Sequence, residues 1–269
     1  MSKLRCVKKP RYSTDLTKAQ WKLIKPLLPK ESTGRPSRSQ QAVLNALCFV
    51  VVTGIQWRLL PLTFPAWQTV YYHFRRWSHL GYWRRIHHLL RALVRQKMNR
   101  HKHPTAGCLD SQSVKTTAVA GVRGYDSAKK VKGRKRHLLC DTLGCDTLGL
   151  VLELMVTPAN LSESGGAYLI GRKVKRGVSK KLRRIWVDAG YKAKVIAWYC
   201  KMRGITMEVV SKDKNATGFA WQKKRWVVER TFAWLSAHRR LVRDYEGSVI
   251  HSESLIWIAL SRILLRRLA

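Results

Sequence analysis

The sequence predicts an α/β protein, with an all-α segment over residues 1–100 and a mixed strand-and-helix segment over 101–269. Two observations carry the division. Before His103-Pro104 the apolar residues recur at three- and four-residue spacings, and after it several short runs read as strands. Hydrophobic residues make up 45% of the 269, enough to bury a core and exclude wholesale disorder. A third observation bounds the partner. Lys plus Arg number 53 against 15 Asp plus Glu, a formal net charge of +38, so the field attracts a phosphate polymer.

Residues 1–13 read as a basic arm. Thr14 or Asp15 can cap a helix running through Ala19, Trp21, Leu23 and Ile24 to Pro26 and Pro29. The turn KESTGRPSRS follows, and Ser39 then caps the apolar helix QQAVLNALCFVVVTG, closed by Gly54. IQWRLLPLTFPA is a linker. AWQTVYYHFRRWSHL brings Val70, Phe74 and Trp77 to one face, and YWRRIHHLLRALVRQKM continues the helical period through Ile86, Leu89, Leu90 and Leu93.

After His103-Pro104, CLDSQSV, RHLLCDTLG and LGLVLELMVTP read as three strands, the last two joined around Leu143-Gly144. A helix opens near Ser162 or Glu163. RRIWVDAG is a fourth strand, KAKVIAWYCKMR a helix and ITMEVV a fifth strand. The connection KDKNATGFAWQKK leads to a long helix, RWVVERTFAWLSAHRRLVRD, and a closing helix, SESLIWIALSRILLRRL. Three meandering strands followed by alternating helix and strand is the plan of a ribonuclease-H-like (retroviral-integrase-like) catalytic domain, here preceded by an all-α N-terminal domain.

Six cysteines are scattered without a Cys-x-x-Cys pair, which favours buried thiols over a disulfide framework or a zinc site from Cys140, Cys145 and His137. The N-terminus lacks a secretory apolar stretch. Ala42 to Ile55 is too short and too interrupted by Asn45 to span a bilayer, so a cytoplasmic protein with no membrane partner is expected.

Against this basic background three acids stand out. Asp110 lies in the first strand, Asp188 ends the fourth, and Glu229 lies in the long helix. Cutting or transferring a phosphodiester needs an activated nucleophile, a stabilised leaving oxygen and neutralised phosphate charge, which two Mg²⁺ ions roughly 3.5–4 Å apart can supply. Mg²⁺ takes hard oxygen ligands and keeps several waters, so two or three carboxylates suffice. In the expected sheet the first and fourth strands are neighbours, so Asp110 and Asp188 can share a metal while Glu229 reaches a second. Asp141 also ends a strand, but DTLG reads as a turn and a structural role. Around the acids, Lys115, Lys132, Arg134, Lys135 and Arg136 are read as phosphate contacts, together with Arg225, Arg239 and Arg240 on the glutamate helix. Trp221 is the candidate for stacking on a base. Arg75 and Arg76 project from a helix that suits a helix-turn-helix reader, the alternative being a bundle used for dimerisation.

LDSQSVKTT, GYDSAKKVKGRKRHLLCDTLG, WVDAGYKAK and RWVVERTFAWLSAHRRLVRDYE resemble the transposases of the IS-five family of bacterial insertion sequences. LTKAQWKLIKPLLP, TGIQWRLLP and FPAWQTVYYHFRRW resemble that family's helical N-terminal region. The resemblance implies a DDE triad at Asp110, Asp188 and Glu229, Mg²⁺-dependent cleavage (with Mn²⁺ as the substitute ion), and strand transfer at terminal inverted repeats. It also implies a homodimer on paired DNA ends. The related IS-four signature around the glutamate has Tyr and Lys where this chain has Gln222 and Ser236, while Arg225 and Glu229 match. A ribonuclease-H-like nuclease without strand transfer and a non-enzymatic basic nucleic-acid-binding protein are the alternatives.

Overall fold

In the computed structural model, residues 12–29, 39–119, 121–142, 150–174, 178, 180–210 and 226–268 are described. Helix α1 (Lys18–Ile24) is opened by Thr17 rather than Thr14 or Asp15. Thr17 and Gln20 exchange two bonds, with Thr17 Oγ1 accepting from Gln20 N at 3.2 Å and Gln20 Oε1 accepting from Thr17 N at 3.0 Å. That reciprocal box satisfies two amides at once, which a lone cap cannot do. Helix α2 (Gln40–Thr53) buries Val43, Leu44, Leu47, Val50 and Val51 and stops at Gly54, whose φ is +73°. A Cβ there would be strained and would stand 3.0 Å from Arg239 Cβ. Helix α3 (Trp67–His79) buries Val70, Phe74 and Trp77. Helix α4 (Tyr82–Lys97) buries Ile86, Leu90 and Val94 but leaves Leu89 and Leu93 exposed.

The strands are β1 (Ala106–Lys115), β2 (Gly124–Asp126), β3 (Val131–Asp141), β4 (Val151–Pro158), β5 (Arg184–Val187) and β6 (Thr206–Val209). Helix α5 (Glu163–Lys173) follows β4 and α6 (Ala193–Arg203) joins β5 to β6. Strands β4, β3, β1, β5 and β6 lie side by side in that order, and the short β2 also pairs with β3. The β1–β3 and β3–β4 pairs are antiparallel, whereas β1–β5 and β5–β6 are parallel. Two features differ from the sequence reading. Strand β2 was not expected, and β3 starts at Val131, so most of the basic run Lys129–His137, expected to lead into that strand, lies within it.

Alternation along the strands separates two apolar faces. Cys108, Leu138 and Cys140 face one core, which takes in α2, α3, α4 and the two C-terminal helices α7 (Trp226–Ser236) and α8 (Val249–Leu268). Leu109, Leu139, Ile185 and Val187 face the other, covered by α5 and α6. The first core runs unbroken from Leu16 to Leu265, so packing does not divide at residue 100. Among the described residues, no helix is long and apolar enough to cross a membrane.

The expected glutamate helix is shorter than its apolar period suggested. Helix α7 ends at Ser236 because His238 turns extended (φ −92°, ψ 109°), and a 3₁₀ turn, Arg239–Leu241, follows. The Arg240 guanidinium fixes that turn by donating to Glu246 Oε1 from both Nε (3.0 Å) and Nη2 (2.6 Å).

Candidate active site

Strand pairing positions the two aspartates. Strands β1 and β5 run parallel with Cys108 opposite Trp186. Two residues further along each strand stand Asp110 and Asp188, so the same register sets the carboxylates side by side at the C-terminal end of the pair. Cys108 and Trp186 both belong to the core under α7 and α8, and side-chain alternation directs Asp110 and Asp188 to that face. Asp110 is buried, with Oδ1 accepting from Ser111 N at 2.7 Å. Asp188 lies just beyond β5, half-buried, and its Oδ1 accepts from Gly190 N at 3.0 Å, closing a tight turn.

Helix α7 packs on the same face. Its Thr231 Oγ1 is bonded to Cys140 Sγ at 3.7 Å, and Val228 and Leu235 are fully buried beside it. Glu229 follows Val228 on the exposed side of the helix. The structure thus sets Asp110 and Asp188 at neighbouring strand ends and Glu229 on a helix packed on the same face of the sheet.

A fourth acid that sequence reasoning missed stands at the same place. Glu163, the first residue of α5, accepts from Ser111 Oγ at 2.9 Å and faces Lys129 Nζ at 3.3 Å through Oε1. A Cβ built on Gly190 would lie 2.6 Å from Glu163 Oε2 and 3.2 Å from Asp188 Oδ1, so the two carboxylates meet across a bare glycine. Beneath them, the buried Tyr191 hydroxyl has no hydrogen-bond partner among the described residues. Burial raises its pKa well above the ordinary value, and the negative charge of Asp110, Glu163 and Asp188 raises it further. The signal for Glu163 was in the sequence, but an acid in the first turn of a helix is so ordinary there that it reads as a dipole complement.

The donor set fits a divalent cation of the Mg²⁺ kind. It offers hard carboxylate oxygens, and the orphaned Tyr191 hydroxyl can be satisfied by an oxygen that a hydrated ion or phosphate brings. Among the described residues no three His, Cys, Asp or Glu side chains are close enough to hold a metal alone, so an aspartate pair completed by waters is the arrangement that matches. Cys140 and His137 are buried in the sheet, with His137 Nε2 bonded to Thr157 Oγ1 at 2.9 Å, and Cys145 lies outside the described residues.

The cations divide into two groups. Lys115 and Lys132 are exposed and line a groove of about 400 Å³ with Arg123, Lys130, Arg243 and Tyr125. Lys130 belongs to the basic run Lys129–His137 read from the sequence as phosphate-contacting, whereas Arg123, Arg243 and Tyr125 were not singled out. Arg243 comes alongside because Asp244 N donates to Lys115 O at 2.9 Å, extending the edge of β1. Arg75 and Arg76 are exposed on α3, where they line a second groove with Trp67, Tyr71, Tyr72 and His79. Arg239 is exposed in the 3₁₀ turn rather than on the glutamate helix. Trp221 and Arg225 lie outside the described residues.

Arg134, Lys135, Arg136 and Arg240 correct the sequence reading, because all four are buried. Arg134 Nη1 reaches Asp244 Oδ1 at 3.1 Å, Glu246 O at 2.7 Å and Ser252 Oγ at 2.7 Å. Lys135 Nζ pairs with Asp126 at 3.0 Å. Arg136 is enclosed so completely that desolvation lowers its pKa to about 10, against the pull of Asp244. Arg240 pairs with Glu246. Continuation of β3 through the basic run is the cause, since a central strand hides alternate side chains on both faces. Asp141, the rival acid, is buried against Arg95 of α4.

Two aspartates at the end of a parallel strand pair, a glutamate on a helix packed on the same sheet face and an exposed cationic groove are features that an enzyme acting on DNA can use. Residues 101–264 match the family described as "Transposase DDE domain", and residues 16–87 match "Putative transposase of IS4/5 family". The chain belongs to the IS4/5-like DDE transposases. It is also 37% identical over 83 residues to the "Insertion element IS402 uncharacterized 16.2 kDa protein" of Burkholderia cepacia. That match covers 28% of this chain and 56% of the relative, so the chain spans little more than half the relative's length. No solved structure matches the chain.

Proposed function

We propose that this chain is an insertion-sequence transposase that binds the terminal inverted repeats of its element, cleaves at their ends and joins the freed strand to target DNA. The observation that carries the reading is the register of β1 and β5, which aligns Asp110 with Asp188 beneath the helix bearing Glu229. The strand order β4-β3-β1-β5-β6, with its antiparallel first three and parallel last two strands, supports a ribonuclease-H-like catalytic fold.

Each part of the site has a task in this reading. Asp110 and Asp188 would hold Mg²⁺, or Mn²⁺ in its place, and Glu229 on α7 would complete a second ion's site. Such ions would supply nucleophile activation and charge neutralisation at the scissile phosphate. The Gly190 amide and Ser111 amide fix the carboxylate rotamers, so their oxygens are oriented before the substrate arrives. Lys115, Lys132, Arg123, Lys130 and Arg243 hold duplex phosphates along the groove and position the strand. Arg75 and Arg76 on α3 contact the repeat, and two copies act together because two ends must be cut.

The deciding experiment incubates the full chain and Mg²⁺ with a plasmid carrying the DNA that flanks its reading frame. Cleavage at the ends followed by joining to a second DNA is expected, with Asp188→Ala inactive. Cleavage without joining would establish the nuclease alternative, and unimpaired cleavage by Asp188→Ala would overturn the triad.

A further inference from the structure

We propose that Glu163 is a positioning residue of the catalytic centre, whose negative charge, set across Gly190 from Asp188 and linked through Ser111 to Asp110, raises the affinity of the aspartate pair for a divalent cation. The inference rests on the reading of Asp110 and Asp188 as metal-binding residues and adds a member outside the three acids of the triad.

The geometry makes an apolar or neutral residue at 163 a different site. Ser111 contacts both acids, its amide donating to Asp110 Oδ1 at 2.7 Å and its hydroxyl to Glu163 Oε1 at 2.9 Å. Ser162 caps α5, accepting from Gly165 N at 3.1 Å, and Ser164 Oγ accepts from Lys192 N at 2.9 Å. Glu163 is thereby fixed between β1 and the turn after β5. Its Oε1 edge is occupied by Ser111 and Lys129, while Oε2 is directed at the Gly190 position beside Asp188 Oδ1. Two carboxylate oxygens brought together across a missing side chain repel unless a cation stands near them. The Tyr191 hydroxyl is an independent pointer. It is 4% exposed, lacks a partner among the described residues, and lies in the field of Asp110, Glu163 and Asp188, where a hydrated ion would supply an acceptor.

Lys129, whose side chain is 42% exposed, partly neutralises Glu163 from the solvent side. This gives two substitutions of opposite sign. Glu163→Gln keeps the shape and the Ser111 bond but removes the charge, and Lys129→Met unmasks it.

Mn²⁺ binding to the full chain without DNA, followed by calorimetry or by the resonance of free Mn²⁺, separates the possibilities. Asp188→Asn is expected to lose binding. Glu163→Gln is expected to weaken it roughly tenfold with no loss of thermal stability, Glu163→Asp to recover part of that, and Lys129→Met to tighten binding severalfold. Wild-type affinity in Glu163→Gln, with Asp188→Asn still losing the ion, would overturn the role of Glu163 alone. Undiminished binding by Asp188→Asn would overturn it together with the metal assignment. If Glu163→Gln does not fold, the surface variant Lys129→Met decides, and failure to tighten sinks the proposal.

Discussion

Two groups of acids in this protein behave in opposite ways. In one group each has a cation of its own: Asp244 with Arg134, Glu246 with Arg240, Asp126 with Lys135, Asp141 with Arg95 and Glu153 with Arg84. At the ends of β1 and β5, Asp110, Glu163 and Asp188 share one neighbourhood and together raise the Tyr191 pKa beyond the effect of burial. The paired acids fasten elements to one another, and their charge is cancelled locally. In the proposed reading, the same residue type serves anchorage where an acid is matched one to one with a cation, and chemistry where several acids share one neighbourhood.

Substitution should separate the two groups by what is lost. Asp188→Asn is expected to reduce end cleavage at least a thousandfold, about 4 kcal/mol of transition-state stabilisation, while the melting temperature holds or rises because like charge is relieved. Single-turnover cleavage and thermal unfolding check both halves. Asp244→Ala is expected to do the reverse. Removing one member of a buried ion pair strands the other, at a cost of about 3–5 kcal/mol, and Arg134 is buried with Asp244 as one of its partners. Urea unfolding should show the loss, and a stability within 1 kcal/mol of wild type would remove the distinction between the two groups.

The adjacency of β1 and β5, which brings Asp110 and Asp188 to neighbouring strand ends, was legible from the order of the short apolar runs, and a one-residue slip would send the two side chains to opposite faces. Glu163 was not, because its partners Ser111 and Gly190 lie far away in sequence and its own helix gives it a sufficient local role. The cations were misread for a related reason. Lys129 to His137 reads as one run of phosphate contacts, but β3 continues through it from Val131, and Asp126, Asp244 and Ser252 from three other segments receive the charges of Lys135 and Arg134. Nothing local in the sequence distinguishes Lys132 from Lys135. The end of α7 was missed because the apolar period carries on past His238, while the Arg240–Glu246 pair that tightens the turn is tertiary.

Acid should weaken the anchored region through its histidines. His87 donates from Nε2 to Val151 O, 3.0 Å away, and His137 is bonded to Thr157. Burial lowers the pKa of each from 6.5 to about 3, with Arg91 adding to the effect at His87 and Lys135 and Lys129 at His137. A folded pKa below the unfolded one means that the unfolded chain binds the proton first. The stability these neutral rings contribute is therefore complete above pH 6.5 and is lost as pH falls toward 3. At pH 5 each should cost about 2 kcal/mol, and His87→Gln or His137→Gln should flatten that part of the stability profile measured by denaturant unfolding.

The smallest effect is the one that tests the division of the basic run most directly. Lys132 and Lys135 are three residues apart on β3, yet Lys132 is exposed at the groove and Lys135 is buried on Asp126. Burial pushes the Asp126 carboxyl up, but its bonds from Ser113, Lys135 and the Lys129 amide outweigh that and hold it below the usual range. Lys135 therefore has its anion already, and a DNA phosphate would have to displace it. Lys132→Ala should leave unfolding unchanged, weaken DNA binding a few-fold, and reduce the slope of log affinity against log salt by about 1. Lys135→Ala should destabilise the fold while leaving the salt slope of the remaining folded protein as it was. An equal change of slope in both variants would mean that the strand does not divide the run, and that DNA binding pulls Lys135 out of its pair with Asp126.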